Sequence, residues 1–206
     1  MHAAALPWTR KWWDPTRLGI VVRVDSLRGQ LLIAPPHLTD PNFSKTVVFI
    51  VQHDKEGAFG LVLNRPSDTA IDEIWEKMRG RRCVRKDFLY VGGPVQGPLM
   101  LLHGDALAGD IEVIDGVYCC AQANELEERV DDERPPMRFY AGYSGLGGGQ
   151  LEMELSIGSW LSLPAEARHV FYGEGDDLWT QVFRKYVDKT SLPDGFLPKD
   201  DEPSRN

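Results

Sequence analysis

Residues Tyr140 to Trp160 read YAGYSGLGGGQLEMELSIGSW, an aromatic approach, a glycine cluster and then a charged segment with regularly spaced apolar residues. Gly142, Gly145, Gly147, Gly148 and Gly149 fall within eight residues. Glycine at that density serves positive φ, tight turning or the close approach of another backbone or a ligand. Beyond the cluster, Leu151, Met153, Leu155 and Ile157 alternate as in a strand, yet Gln150, Glu152, Glu154 and Leu155 are helix formers placed after a turn. The pattern by itself leaves both conformations open.

Upstream, Met137 to Tyr140 reads as the strand that delivers the chain to these glycines. Gly29 to Pro36 is an apolar run stopped by two prolines and reads as a strand; the β-branched run from Leu18 to Ser26 precedes it. Thr46 to Gln52 and Phe59 to Asn64 flank His53-Asp54-Lys55-Glu56-Gly57, a hairpin connection. Both runs are almost continuously apolar, so they are expected in the middle of a sheet covered on both faces by helices. Ile71, Ile74, Trp75 and Met78 recur at helical spacing. Leu99 to His103 and Ile111 to Ala121 read as two further strands, Asn124 to Val130 as a short polar helix, and Val170 to Tyr172 as a short strand. A helix capped at Asp176 or Asp177 carries the apolar stripe Leu178, Trp179, Val182, Phe183, Tyr186 and Val187.

The 206 residues are expected to form one compact domain over 18–189, with a Trp-rich arm at 1–17 (Trp8, Trp12, Trp13) and a Pro- and charge-rich, flexible tail at 190–206. A net charge of −8 argues against a polyanion as partner. Neither a secretory leader nor a membrane span is visible. Three cysteines, two of them adjacent (Cys83, Cys119, Cys120), make no disulfide framework and suit a reducing cytoplasm.

Several segments, in this order and spacing, carry a family resemblance: Gly29 to Pro35 with Phe43 and Thr46-Val47-Val48; His53 through Glu56-Gly57-Ala58-Phe59-Gly60 to Asn64-Arg65-Pro66; Gly92-Gly93-Pro94-Val95; Leu102-His103; and Gly142-Tyr143 through Gly149-Gln150-Leu151-Glu152 to Trp160. From about Gly29 to Tyr186 the chain resembles the AlgH/YqgE family of bacterial proteins. The resemblance implies an α+β fold, a single domain with a branched, partly barrel-like mixed β-sheet surrounded by helices, and it favours a helix from Gln150. It supplies no catalytic residues; one branch of the family is described as regulating transcription. Leu146, Ser144 and Ser159 depart from the usual Trp, Ala and Asn.

Two candidate sites follow from the residues. Ser144, Gly145, Gly147, Gly148 and Gly149, with Gly92 and Gly93 as a second wall, form a candidate anion cradle at a helix entrance. No Lys-Ser or Lys-Thr follows the glycines and Gln150 spoils a dinucleotide fingerprint, so no cofactor is assigned. Arg79, Arg81, Arg82, Arg85 and Lys86, with Lys77, put six cations in ten residues, a candidate patch for an acidic partner or nucleic acid. Gly142-Tyr143-Ser144-Gly145-Leu146 lacks the last glycine of a nucleophile elbow. His53-Asp54 and His103-Gly104-Asp105 lack metal-site spacing and read as structural histidines, so no metal is assigned. Cys83, among arginines, would be oxidisable only if they lower its pKa. The function these features support is a non-catalytic binding or regulatory module. A small-anion or nucleotide-binding protein or enzyme is the alternative, and a direct DNA-binding regulator ranks third.

Overall fold

The structure is a computed structural model that describes residues 26–105, 110–132, 136–173 and 175–190. The Trp-rich arm, the run from Leu18 and the tail beyond Thr190 lie outside the described residues.

The apolar runs form an antiparallel meander, β1 (Gln30–Ile33), β2 (Val47–Asp54) and β3 (Gly57–Val62). Because side chains alternate across a strand, Leu31, Ile33, Val47, Phe49, Val51 and Leu61 enter one core, while Leu32, Val48, Ile50 and Val62 enter a second on the opposite face. Both faces are buried, as continuous apolarity predicts. Lys55 and Glu56 turn the β2–β3 hairpin, with Asp54 paired to Gly57.

Strand β9 (Met137–Gly147) is the branch point of the sheet. Its first half pairs antiparallel with β6 (Val95–His103) on one edge. On the other edge it pairs in parallel with β5 (Phe88–Val91) at Tyr140 and Ala141, then antiparallel with β3 from Ser144 onward. Beyond these lie β4 (Pro66–Ala70), β7 (Ile111–Ile114), β8 (Val117–Cys120) and β10 (Leu161–Pro164). The main path runs β10-β1-β2-β3-β9-β6-β8-β7, with β4 and β5 branching off. The sheet curls until its ends meet: a Cβ at Gly29 would stand 2.6 Å from Ile114 Cγ2 and 3.5 Å from Val113 O. The result is the half-barrel, mixed α+β sheet that the resemblance implies.

Five described helices cover this sheet. The inner face is filled by α4 (Ala167–Phe171) and α5 (Gly175–Thr190), through Val170, Phe171, Leu178, Val182, Phe183 and Val187. Trp179 joins them and its Nε1–H donates to Ala34 O at 2.8 Å. On the outer face, α3 (Gln150–Ser156) places Leu151 beside Trp160 over the meander. The other end of that face is covered by α1 (Ile71–Arg79) and α2 (Ala123–Arg129), with Ile71, Trp75 and Leu126 on Leu99, Leu101 and Phe139. Helix α1 ends at Gly80, whose φ of 72° lets its N–H reach Glu76 O.

Three expectations change. Ile111 to Ala121 is a hairpin, not one strand, because Asp115-Gly116 turns the chain, with Gly116 at φ 69°. Val170 and Phe171 are helical: Glu166 and His169 form a capping box that starts α4. Finally, most of the glycine cluster is strand, since β9 runs on to Gly147 and only Gly148 and Gly149 turn into α3.

Candidate functional site

The two glycine segments are brought together, and backbone contact explains several of them. Where the chain leaves β5 it crosses β9 so closely that a Cβ on Gly92 would lie 2.3 Å from Gly142 O, and one on Gly93 2.3 Å from the Tyr143 carbonyl carbon. Gly92 N–H donates to Ala141 O and Gly92 O accepts from Val62 N–H, both at 2.9 Å. The Ser144 side chain is buried and its hydroxyl donates to Gly92 O at 3.4 Å. Gly145 and Gly147 pair with Phe59 and Gly57 of β3. Gly148 abuts the β2–β3 turn, its hypothetical Cβ 2.5 Å from Lys55 O. Gly149, at φ 72°, opens the seven-residue α3, and Gly147 N–H donates to Gln150 Oε1 at 3.0 Å. His53 fixes this end: Nδ1 accepts from Leu27 N–H at 3.0 Å, and Nε2 lies 3.1 Å from Glu152 Oε1, out of line for a hydrogen bond.

The basic cluster is interleaved with carboxylates. Arg79 and Arg81 face Glu127, and Arg81 also binds Asp131 at 2.9 Å. Arg82 meets Glu76 and Asp72, Lys86 meets Asp72 at 3.1 Å, and Arg85 directs both Nε and Nη2 at the single Oδ2 of Asp87. The Lys86 hydrogen bond, outweighing burial, holds the Asp72 carboxyl below its usual range. Such paired surface charges offer a polyanion little net field. Cys83 is buried, and burial pushes its thiol pKa up, opposite to what a redox-sensing thiolate needs. Cys119 and Cys120 are buried in opposite cores.

Beside this cluster a cleft of about 550 Å³ opens between α1, the start of α2 and the incoming end of β6. Trp75, Met78, Pro98, Leu99 and Leu126 make its wall mainly apolar, and Arg79 and Gln96 add polar groups. Met78 is 50% exposed, although it lies on the face of α1 that otherwise covers the sheet. Trp75 is wholly buried, and among the described residues its Nε1–H finds no hydrogen-bond acceptor. The volume falls within the range typical of small-molecule sites.

A second polar cluster is sealed inside. His103 Nε2, an Asp110 carboxylate oxygen and Cys120 Sγ lie within 4.8 Å of one another, a set of donors able to hold a metal. Arg129 competes for the place: its guanidinium binds Asp110 Oδ2 at 2.5 Å and Cys120 Sγ at 3.5 Å. Burial, then the nearby Arg129, lowers the His103 pKa to about 4. A histidine whose folded pKa lies below its ordinary 6.5 contributes full stability above pH 6.5, and that contribution is lost as pH falls toward 4. Replacing the ring by His103→Phe removes the titration. Relative to that variant, wild type is expected to lose ~3 kcal/mol between pH 7 and 4 in denaturant titrations, from a shift of about 2.5 units.

A family model described as AlgH-like matches residues 31–190. The chain belongs to the AlgH-like family. A UPF0301 protein of Xanthomonas campestris pv. campestris is 39% identical over 176 residues, covering 82% of this chain and 94% of its own. One from Chlorobaculum tepidum is 34% identical over 162 residues, covering 76% and 84%. The solution structure of AlgH from Pseudomonas aeruginosa superposes with a TM-score of 0.66 at 27% identity, covering 91% of this chain and all of that one. A crystal structure from Corynebacterium diphtheriae, at 24% identity and a TM-score of 0.67, shares the fold.

Within this AlgH-like chain, Leu146 lies against the outer core that α3 joins through Leu151, and Ser144 is buried in β9. Of the residues singled out in the sequence, only Arg79 lines the cleft. Trp75, Met78 and Leu99 are visible in the sequence as periodic apolar positions, which is also how core residues look. Nothing in the chain order brings Gln96 to Leu99 opposite α1; the pairing of β6 with β9 does that. Among the described residues no helix is long and apolar enough to cross a membrane.

Proposed function

We propose that this AlgH-like protein is a non-catalytic binding module and that the cleft between α1, α2 and β6 is where it takes an apolar group. The observation that carries this reading is the cleft itself, about 550 Å³ with a mainly apolar wall and a half-exposed methionine. Apolar walls with a few convergent polar groups are the usual form of a ligand site. The anion-cradle reading draws support from the proximity of Gly93 to Tyr143 and Ser144, but Gly92 and Gly147 already donate their N–H groups within the chain. The pairing of Arg79 to Lys86 with carboxylates weighs against direct DNA binding. Three free, buried thiols fit residence in a reducing cytoplasm.

The test uses N-phenyl-1-naphthylamine, a neutral dye that brightens in apolar surroundings. Saturable brightening with the folded protein is expected. Ala123 is exposed at the start of α2, so Ala123→Trp should leave thermal stability unchanged while filling the cleft, weakening dye affinity about tenfold or more, ~1.4 kcal/mol. Equal binding by the two proteins would refute this placement.

A further inference from the structure

We infer that the outward face of α3 is the seat of residues 18–24, LGIVVRV, which precede the described fold. Two large apolar side chains stand uncovered there: Met153 is 57% exposed, and Ile157, immediately after α3, is 69% exposed. Ile157 N–H donates to Met153 O at 3.2 Å, so the two lie one turn apart on one face, while Leu151 and Leu155 belong to the outer core. The chain enters the described fold beside this helix. Ser26 Oγ donates to His53 O and Leu27 N–H to His53 Nδ1, both at 3.0 Å, and His53 Nε2 lies 3.1 Å from Glu152 Oε1. Leu27 itself packs against the outer core with Leu155. The preceding run, with only Asp25 between, therefore ends next to the first turn of α3. Leu18, Ile20, Val21, Val22 and Val24 make that run apolar, and covering it against Met153 and Ile157 takes apolar surface from both sides out of water. Seven extended residues reach roughly 23 Å, and the seven residues of α3 rise only about 10 Å. The run can thus follow the helix over its whole length. Charge agrees: Arg17 and Arg23 lie at and within the run, whereas Gln150 to Ser156 carry Glu152 and Glu154 and no cation. No residue of α3 lines the cleft, so this seat is independent of the ligand reading.

Hydrogen exchange and trypsin digestion of the full chain test this placement. In wild type, the amides of residues 18–24 are expected to exchange about tenfold or more slowly than in an unfolded chain, and the Arg23–Val24 bond to be cut slowly. Met153→Ser combined with Ile157→Ser removes the apolar seat without adding charge, at two positions that lie outside the core. That double variant is expected to lose the protection and to be cut after Arg23 about tenfold faster or more. Tyr172→Ser, at the end of α4 and 74% exposed in wild type, should change neither readout. Free exchange of residues 18–24 in wild type overturns the inference, and so does equal protection and cleavage in wild type and the double variant. Protection that fades on dilution, with light scattering showing a dimer that the double variant abolishes, assigns the face to a second copy of the chain and overturns it as well.

Discussion

Gly93→Ala is expected to cost about 4 kcal/mol or more, enough to abolish folding if the parent has the 5 to 15 kcal/mol typical of domains. Gly93 has φ 151°, in a region that only glycine visits freely, and the added methyl would lie 2.3 to 2.5 Å from three backbone atoms, Tyr143 C, Tyr143 O and Ser144 N. Neither the strand β9 nor the crossing segment can retreat without breaking the pairing of β5 and β6 to β9. Two neighbours provide the scale. Gly149 has φ 72° but open space around it, so Gly149→Ala should cost only ~1–2 kcal/mol, the strain of a left-handed residue. Gly147 has neither a positive φ nor a close neighbour, since its Cβ would meet only Gln150 Oε1 at 3.7 Å, and Gly147→Ala should stay within about 0.5 kcal/mol. Urea midpoints of the three variants check the order. A Gly93→Ala protein as stable as Gly147→Ala would remove close backbone approach as the reason for these glycines.

Arg129→Met is expected to destabilise by ~3–5 kcal/mol, the usual consequence of removing one member of a buried ion pair. Arg129 is 5% exposed, the Asp110 side chain is fully buried, and the 2.5 Å contact between them ties α2 to the segment entering β7. Methionine fills much of the space but leaves the carboxylate without its guanidinium. Adding Asp110→Asn should recover part of the loss, because the charge is then gone from both sides. An exposed control, Arg82→Met, should leave the urea midpoint nearly unchanged although Arg82 touches two carboxylates, since water and salt screen those pairs. Equal effects of Arg129→Met and Arg82→Met in chemical denaturation would mean that the sealed cluster adds nothing to stability.

The fold was legible wherever apolar runs were unbroken. Thr46 to Gln52 and Phe59 to Asn64 declare buried strands, and the stripe from Leu178 to Val187 declares α5. A single turn or cap overrides propensity at two places: Asp115-Gly116 cuts one expected strand in two, and the Glu166–His169 box makes a helix of Val170 and Phe171. The glycine cluster was recognisable as a place of close approach, but not as strand, because what it approaches lies about fifty residues away at Gly92 and Gly93. The cleft was not legible. Arg79 stands out in the sequence as one cation among six, yet its place beside an apolar space is made by β6, which reaches α1 only through the folded sheet.

The most direct test is an amide-resolved NMR titration of ¹⁵N-labelled protein with N-phenyl-1-naphthylamine. The cleft assignment predicts that the largest shifts fall on Gln96 to Leu99, on Ala121 to Leu126 and on the last turn of α1. Shifts concentrated instead on Gly92, Gly93 and Ser144 to Gly149, or spread with no site at all, would contradict it.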